Sequence, residues 1–116
     1  MTQQAAALDP AEIELFRDNV RKFLEKEVAP FYDQWEKDEI FPRTLWNKMG
    51  ENGFLCVDVP EEYGGIGAPF RLSTVIIEEI SRMGFGGLAS NVSVHSDIVT
   101  PYILHLGNEA QKQYWL

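Results

Sequence analysis

Ile13, Phe16, Val20, Phe23, Leu24 and Val28 recur at steps of three and four residues, and Pro30 closes the run. That period sets them on one face of an α-helix, opposite Arg17, Asp18, Arg21, Glu25 and Lys26. The start is marked as sharply. Asp9 supplies a cap, Pro10 suits the first helical position, and Glu12 stands where a capping box needs its third residue. Leu8 and Ile13 occupy the positions of a hydrophobic staple. The helix should run to about Ala29, because a residue before proline disfavours the helical region. A stripe this long has to be covered, so the rest of the chain must supply matching faces.

Further helical stretches follow. A short one passes through Tyr32, Trp35 and Glu36, and another opens at Pro42 and stops near Gly50 or Gly53. After an apolar run over 54–59 and a glycine-rich loop, a helix is expected over about 71–83. Leu72, Val75, Ile76, Ile80 and Met83 face inward, and Gly84, Gly86 and Gly87 break it. In the next, Leu88, Val92, His95, Val99, Tyr102 and Leu106 form the inward stripe, with Gly107 as the stop. Ala89, Ser90, Val92, Ser93, Val94 and Ile98 spread over a second face, so this helix should be covered on two sides. Asn108 to Gln111 reads as a capping box that begins a last helix. The expected fold is all-α, an antiparallel helical domain of five or six helices. Trp115 and Leu116 end the chain without a stop signal, which reads as a piece of something longer. An apolar face around Val92, Ile98, Trp115 and Leu116 should then be exposed and promote self-association.

The 116 residues suit one domain, which at this size buries about two thirds of its unfolded surface. Eighteen acids against ten bases leave a net charge of −8, and no Lys/Arg cluster is long enough to track a phosphate backbone. Nucleic acid is therefore not an expected partner. No apolar run approaches the ~18 residues of a membrane span. Cys56 is the only cysteine, so no disulfide can form within the chain; in its apolar run it reads as a buried small hydrophobe rather than a reactive thiol. The N-terminal MTQQAAALDP has no signal or transit pattern, and a cytoplasmic protein is expected.

The loop Pro60-Glu61-Glu62-Tyr63-Gly64-Gly65-Ile66-Gly67-Ala68-Pro69-Phe70 could cradle a phosphate or be turn chemistry. It carries no Lys, and Glu61 and Glu62 would repel a phosphate. The architectural reading is preferred, with Tyr63, Ile66 and Phe70 plugging the loop against the helices. His95 reads as a hydrogen-bonded structural histidine, His105 as a helix C-terminal charge, and Glu78, Glu79 and Asp97 as solvated or interface carboxylates. None is assigned as a catalytic base. The two histidines have no metal-site spacing.

In order and spacing, "VPEEYGGIGAPFRLSTVIIEEISRMG" followed by "VHSDIVTPYILHLGNEAQKQYWL" resembles the amino-terminal helical domain of the acyl-CoA dehydrogenases. The resemblance runs from about Ala11 to Leu116. The stretches Lys26–Pro30, Trp35–Lys37, the glycine loop and Val94–Val99 are most similar to the long-chain type. The resemblance implies a parent enzyme with a middle β domain and a carboxy-terminal helical domain, both missing from this sequence. It implies an FAD cofactor, a fatty acyl-CoA substrate dehydrogenated across Cα and Cβ, an electron-transfer flavoprotein as redox partner, and a homotetramer or homodimer. A glutamate, in most subfamilies from the carboxy-terminal domain, takes the α-proton while flavin N5 takes the β-hydride. No residue here aligns with that base, so the chain alone should be inactive and should not hold FAD tightly.

What the resemblance leaves to this chain is one wall of the acyl pocket. Family members line the fatty tail with the helix that begins near Leu88, and bulk at two positions a turn apart limits chain length. Those positions fall at Ser90 and Val94, with Ile98 one turn further. Small side chains there leave the slot open and favour a longer acyl group. Two other readings stay open: a stand-alone helical module that binds lipid or protein, and the same domain of a flavin monooxygenase or acyl-CoA oxidase.

Overall fold

A computed structural model describes residues 8–116. Its described residues form six helices, one 3-10 turn and no strand. They are α1 (Pro10–Glu27), α2 (Tyr32–Asp38), α3 (Arg43–Glu51), α4 (Arg71–Arg82), α5 (86–106) and α6 (Glu109–Trp115). The all-α expectation holds. The fifth helix is continuous but changes its winding, passing from α (Gly86–Ser93) through a π segment (Val94–Val99) back to α (Thr100–Leu106).

Local signals place the helix ends. Asp9 caps α1 by accepting the Glu12 amide at 2.9 Å. At α6 the box is complete: Asn108 Oδ1 accepts the Gln111 amide and Gln111 Oε1 accepts the Asn108 amide, both at 2.9 Å. Gly107 ends α5 without left-handed geometry, at φ −73, its amide donating to the Ile103 carbonyl at 2.9 Å. The 3-10 turn Glu61–Tyr63 opens the glycine loop, and Gly64 closes it at φ +89, a conformation glycine adopts without steric cost.

The α1 stripe is buried as its spacing requires. Val20, Leu24 and Val28 are sealed, and Phe16 and Phe23 clasp Phe54 edge-to-face at 5.7 and 5.3 Å. Leu72, Ile76 and Ile80 of α4 and Leu88, Ala89 and Val92 of α5 complete that core, joined by Leu45, Met49 and Val57. A second aromatic knot ties α2 to the start of α5, where Tyr32 stacks on Phe85 at 4.2 Å. The expected second covered face of α5 is not found: Leu88, Ala89, Val92, Ser96 and Thr100 are buried, whereas Ser90, Val94 and Ile98 are exposed.

Several side chains depart from their sequence-based placement. Glu79 is neither solvated nor at an interface. It is 1% exposed, and its carboxylate accepts from Arg17 Nη1 at 2.9 Å and Arg21 Nε at 3.0 Å, with Arg82 Nε at 3.5 Å. Arg17, expected on a solvated face, is drawn inward with it and also holds Glu78 at 3.0 Å. Burial pushes the Glu79 carboxyl up, but the bonds from Arg17 and Arg21 outweigh it and hold the group below the ordinary range. This ion cluster fastens α1 to α4.

The inward stripe of α5 is also different. Leu88 and Val92 are buried, but Val99, Tyr102 and Leu106 are exposed, and Ser96 and Thr100 take the inward positions. A face that repeats every four residues drifts around a 3.6-residue helix, and the wider π turn at 94–99 absorbs the drift. Val92, expected on an exposed apolar face, is therefore in the core.

In the loop, Ile66 and Phe70 are half exposed, so they plug it only in part, Ile66 reaching Gly53 beyond the end of α3. Backbone bonds hold it instead: Gly67 N to Val59 O at 2.9 Å and Ala68 N to Val57 O at 2.8 Å. Tyr63 pins the loop to α6 by donating to Glu109 Oε1 at 2.6 Å, while Lys112 lies 5.7 Å above its ring. That bond to a carboxylate, with some burial, pushes the Tyr63 phenol up to about 12.

Candidate functional site: the uncovered face of α5

Ser90, Val94 and Ile98 are all exposed, spaced by four, on the side of α5 away from Leu88, Val92, Ser96 and Thr100. The same winding that turns the small polar residues inward keeps these three in one row. Ile98 leads into an open groove of about 460 Å³ lined also by Pro101, Tyr102, His105 and Leu106. Asp97, beside it, is held by the Ser73 hydroxyl of α4. Around the corner Tyr102, Ile103, Leu106, Gly107, Gln111 and Trp115 line a second groove of about 380 Å³. The outcome is a continuous apolar surface across α5 and α6, with Trp115 67% exposed.

Such a surface is expected to drive self-association. Light scattering on the purified chain should give a mass that rises above 13.2 kDa with concentration. A constant 13.2 kDa at high concentration would count against it.

The carboxylates that could act as a base are engaged elsewhere: Glu78 and Glu79 with Arg17, Asp97 with Ser73, and Glu109 with Tyr63. Nor does the glycine loop fit the phosphates of a flavin or other nucleotide. Its Gly64, Gly65 and Gly67 amides are spent on the carbonyls of Glu61, Pro60 and Val59, and Glu61 and Glu62 stand at its entrance. A phosphate cradle needs those donors free. Among the described residues, no group of three or more His, Cys, Asp or Glu could hold a metal, and no helix is long and apolar enough to cross a membrane.

Cys56 is not enclosed by apolar atoms. It is half-buried, at φ 52, and its thiol faces His95, Ser96 and Thr100 of α5. His95 lies against the Trp46 ring, centroids 5.5 Å apart. Sequence reasoning missed this cluster because Ser96 and Thr100 reach Cys56 only after the π segment has rotated them inward.

The architecture is thus an all-helical domain whose long fifth helix buries one side and offers the other. The model of the acyl-CoA dehydrogenase N-terminal domain matches residues 10–116. The chain belongs to the acyl-CoA dehydrogenase family, of which it carries the N-terminal domain. It is 38% identical over 106 residues to the mitochondrial long-chain specific acyl-CoA dehydrogenase of Sus scrofa, covering 91% of this chain and 24% of that protein. To the mitochondrial short-chain specific enzyme of Rattus norvegicus it is 37% identical over 107 residues, covering 92% and 26%. The crystal structure of an acyl-CoA dehydrogenase from Geobacillus kaustophilus superposes with a TM-score of 0.86 at 51% identity, over 97% of this chain and 29% of that one. The chain spans about a quarter of the length of these relatives.

Proposed function

We propose that this domain supplies one wall of the fatty-acyl pocket in a flavin-dependent acyl-CoA dehydrogenase. In that reading a longer enzyme, with middle β and carboxy-terminal helical domains, oxidises an acyl-CoA between Cα and Cβ and passes electrons to an electron-transfer flavoprotein. It works as a homotetramer or homodimer in the cytoplasm. FAD, when bound, accepts the hydride; residues outside this chain hold it, since the loop amides here are already spent. The observation that carries the reading is the row Ser90, Val94 and Ile98, left uncovered on the face of α5 opposite its buried Leu88, Val92, Ser96 and Thr100. An alkyl chain laid along the row would meet the small and branched side chains of Ser90, Val94 and Ile98, with Asp97 beside its far end. Removing that contact by methylene costs about 0.8 kcal/mol each.

Selectivity for long chains rests on the small volumes at Ser90 and Val94, because the long-chain and short-chain relatives are nearly equally similar. The test is Val94→Phe in the whole enzyme, assayed with acyl-CoA substrates from four to sixteen carbons. The extra ring should lower kcat/KM for the longest substrates by about 10- to 100-fold, since one misfit group shifts discrimination by about 1–3 kcal/mol. Four-carbon turnover should stay within about twofold. Uniform loss at every length would refute the wall assignment.

The open groove at Ile98, Pro101, Tyr102 and Leu106 favours one second reading, a stand-alone lipid-binding module. Titration of acyl-CoA against the 116-residue chain separates the two. Micromolar binding that tightens with chain length would support the module; no binding supports the wall. A flavin monooxygenase or acyl-CoA oxidase would share this wall and differ in its acceptor.

A further inference from the structure

The chain's one cysteine is brought to a base by tertiary structure. The Cys56 amide donates to Ser96 Oγ at 3.1 Å, which points the thiol at α5. Cys56 Sγ then lies 3.3 Å from Thr100 Oγ1 and 3.8 Å from His95 Nδ1. Ser96 Oγ is in turn 3.3 Å from His95 Nδ1, and the Trp46 ring backs the imidazole. The cluster opens on a cleft of about 410 Å³ walled by Leu55, Val59, Gly65, Val99, Ile103 and Trp115. Among the described residues no Asp, Glu, Lys or Arg side chain lines it, and Leu116, which carries the chain's terminal carboxylate, stands on its wall. Tyr63, the other titratable side chain there, is tied to Glu109 and stays neutral.

We propose that Cys56 is a thiol–disulfide exchange site for small uncharged disulfides, with His95 as its proton acceptor. His95 Nδ1 takes the thiol proton, and the Cys56 thiolate attacks one sulfur of the disulfide. A new bond forms between Cys56 Sγ and that sulfur, the original S–S bond breaks, and the departing thiolate takes the proton from His95. Cys56 is oxidised and the released half is reduced; the dissolved disulfide is the co-reactant. A neutral partner suits a cleft with no charged side chain, beside the terminal carboxylate of Leu116 and in a chain of net charge −8, where an anionic disulfide would be repelled. Since the chain has no second cysteine, the mixed disulfide persists until an outside thiol removes it.

The environment agrees with the geometry. Burial opposes ionisation of the thiol, but His95, Thr100 and Ser96 outweigh it and hold Cys56 below the ordinary range, while the same contact raises His95. Each tenfold gain in thiolate costs only about threefold in nucleophilicity, so a lowered thiol is the faster attacker at neutral pH.

The experiment reacts the native chain with bis(2-hydroxyethyl) disulfide at neutral pH and follows the single adduct by intact mass. The native rate should exceed that of the urea-unfolded chain about threefold or more, although the native thiol is half-buried. His95→Gln should bring it down to the unfolded rate and move the ultraviolet thiolate titration to higher pH. A native rate at or below the unfolded one overturns the proposal, and so does a His95→Gln chain of unchanged helicity that reacts as fast as the native chain. The acyl-wall reading uses neither Cys56 nor His95, so the two proposals fail independently.

Discussion

Replacing Glu79 by alanine is expected to destabilise the domain by about 3 kcal/mol, the lower end of the cost of breaking a buried ion pair. The carboxylate is 1% exposed and answers two arginines of α1, so its loss leaves Arg17, itself only 14% exposed, with the exposed Glu78 and Glu14. A domain of this size has about 5–15 kcal/mol in all, and the urea midpoint should fall clearly without a change in slope. The sign of the pH dependence follows from the same cluster. The folded carboxyl titrates below its ordinary value of 4.5, so its contribution is complete above that value and is lost as pH falls through the folded value. Glu79→Gln should flatten this acid-side decline. A midpoint equal to that of the unaltered chain would show that α1 and α4 are held by their apolar faces alone.

Gly65→Ala carries the other large effect. A Cβ at this position would stand 2.0 Å from the Val59 carbonyl oxygen and 2.5 Å from its carbon. Both are backbone atoms, and the Gly67 amide bonds that same oxygen. The loop cannot yield without giving up its own ladder, so the cost should reach about 3 kcal/mol, the upper part of the range for overpacking. Gly64→Ala tests a separate cause, since nothing lies within 4 Å of its added Cβ and only φ +89 opposes it; a loss of about 1 kcal/mol is expected. Thermal or urea unfolding of the two variants should rank them in that order. If Gly65→Ala were neutral, close backbone approach would not be the reason for glycine in this loop.

The loop shows where local reading stops. Its refusal of a phosphate is visible in Glu61, Glu62 and the missing lysine. The actual reason for Gly65 is contact with Val59 six residues back, and no composition rule announces that. Glu79 makes the same point over a longer span: its partners lie 58 and 62 positions away, so its dipeptide with Glu78 looks like ordinary surface charge. Ser90, Val94 and Ile98 stand together on an open face, and no other element is needed to align them. The Cys56 cluster required both a left-handed turn and a rewound helix.

Helix starts at Asp9 and Asn108, the α1 and α4 stripes and the all-helical class were legible from the residues, because caps and amphipathic faces are settled within one or two turns. Which polar groups went inside was settled by packing: Glu79 pairs with α1, and Ser96 and Thr100 turn inward on α5. A side chain enters a core only when a distant partner offsets its desolvation, and distance along the chain says nothing about which partner that is.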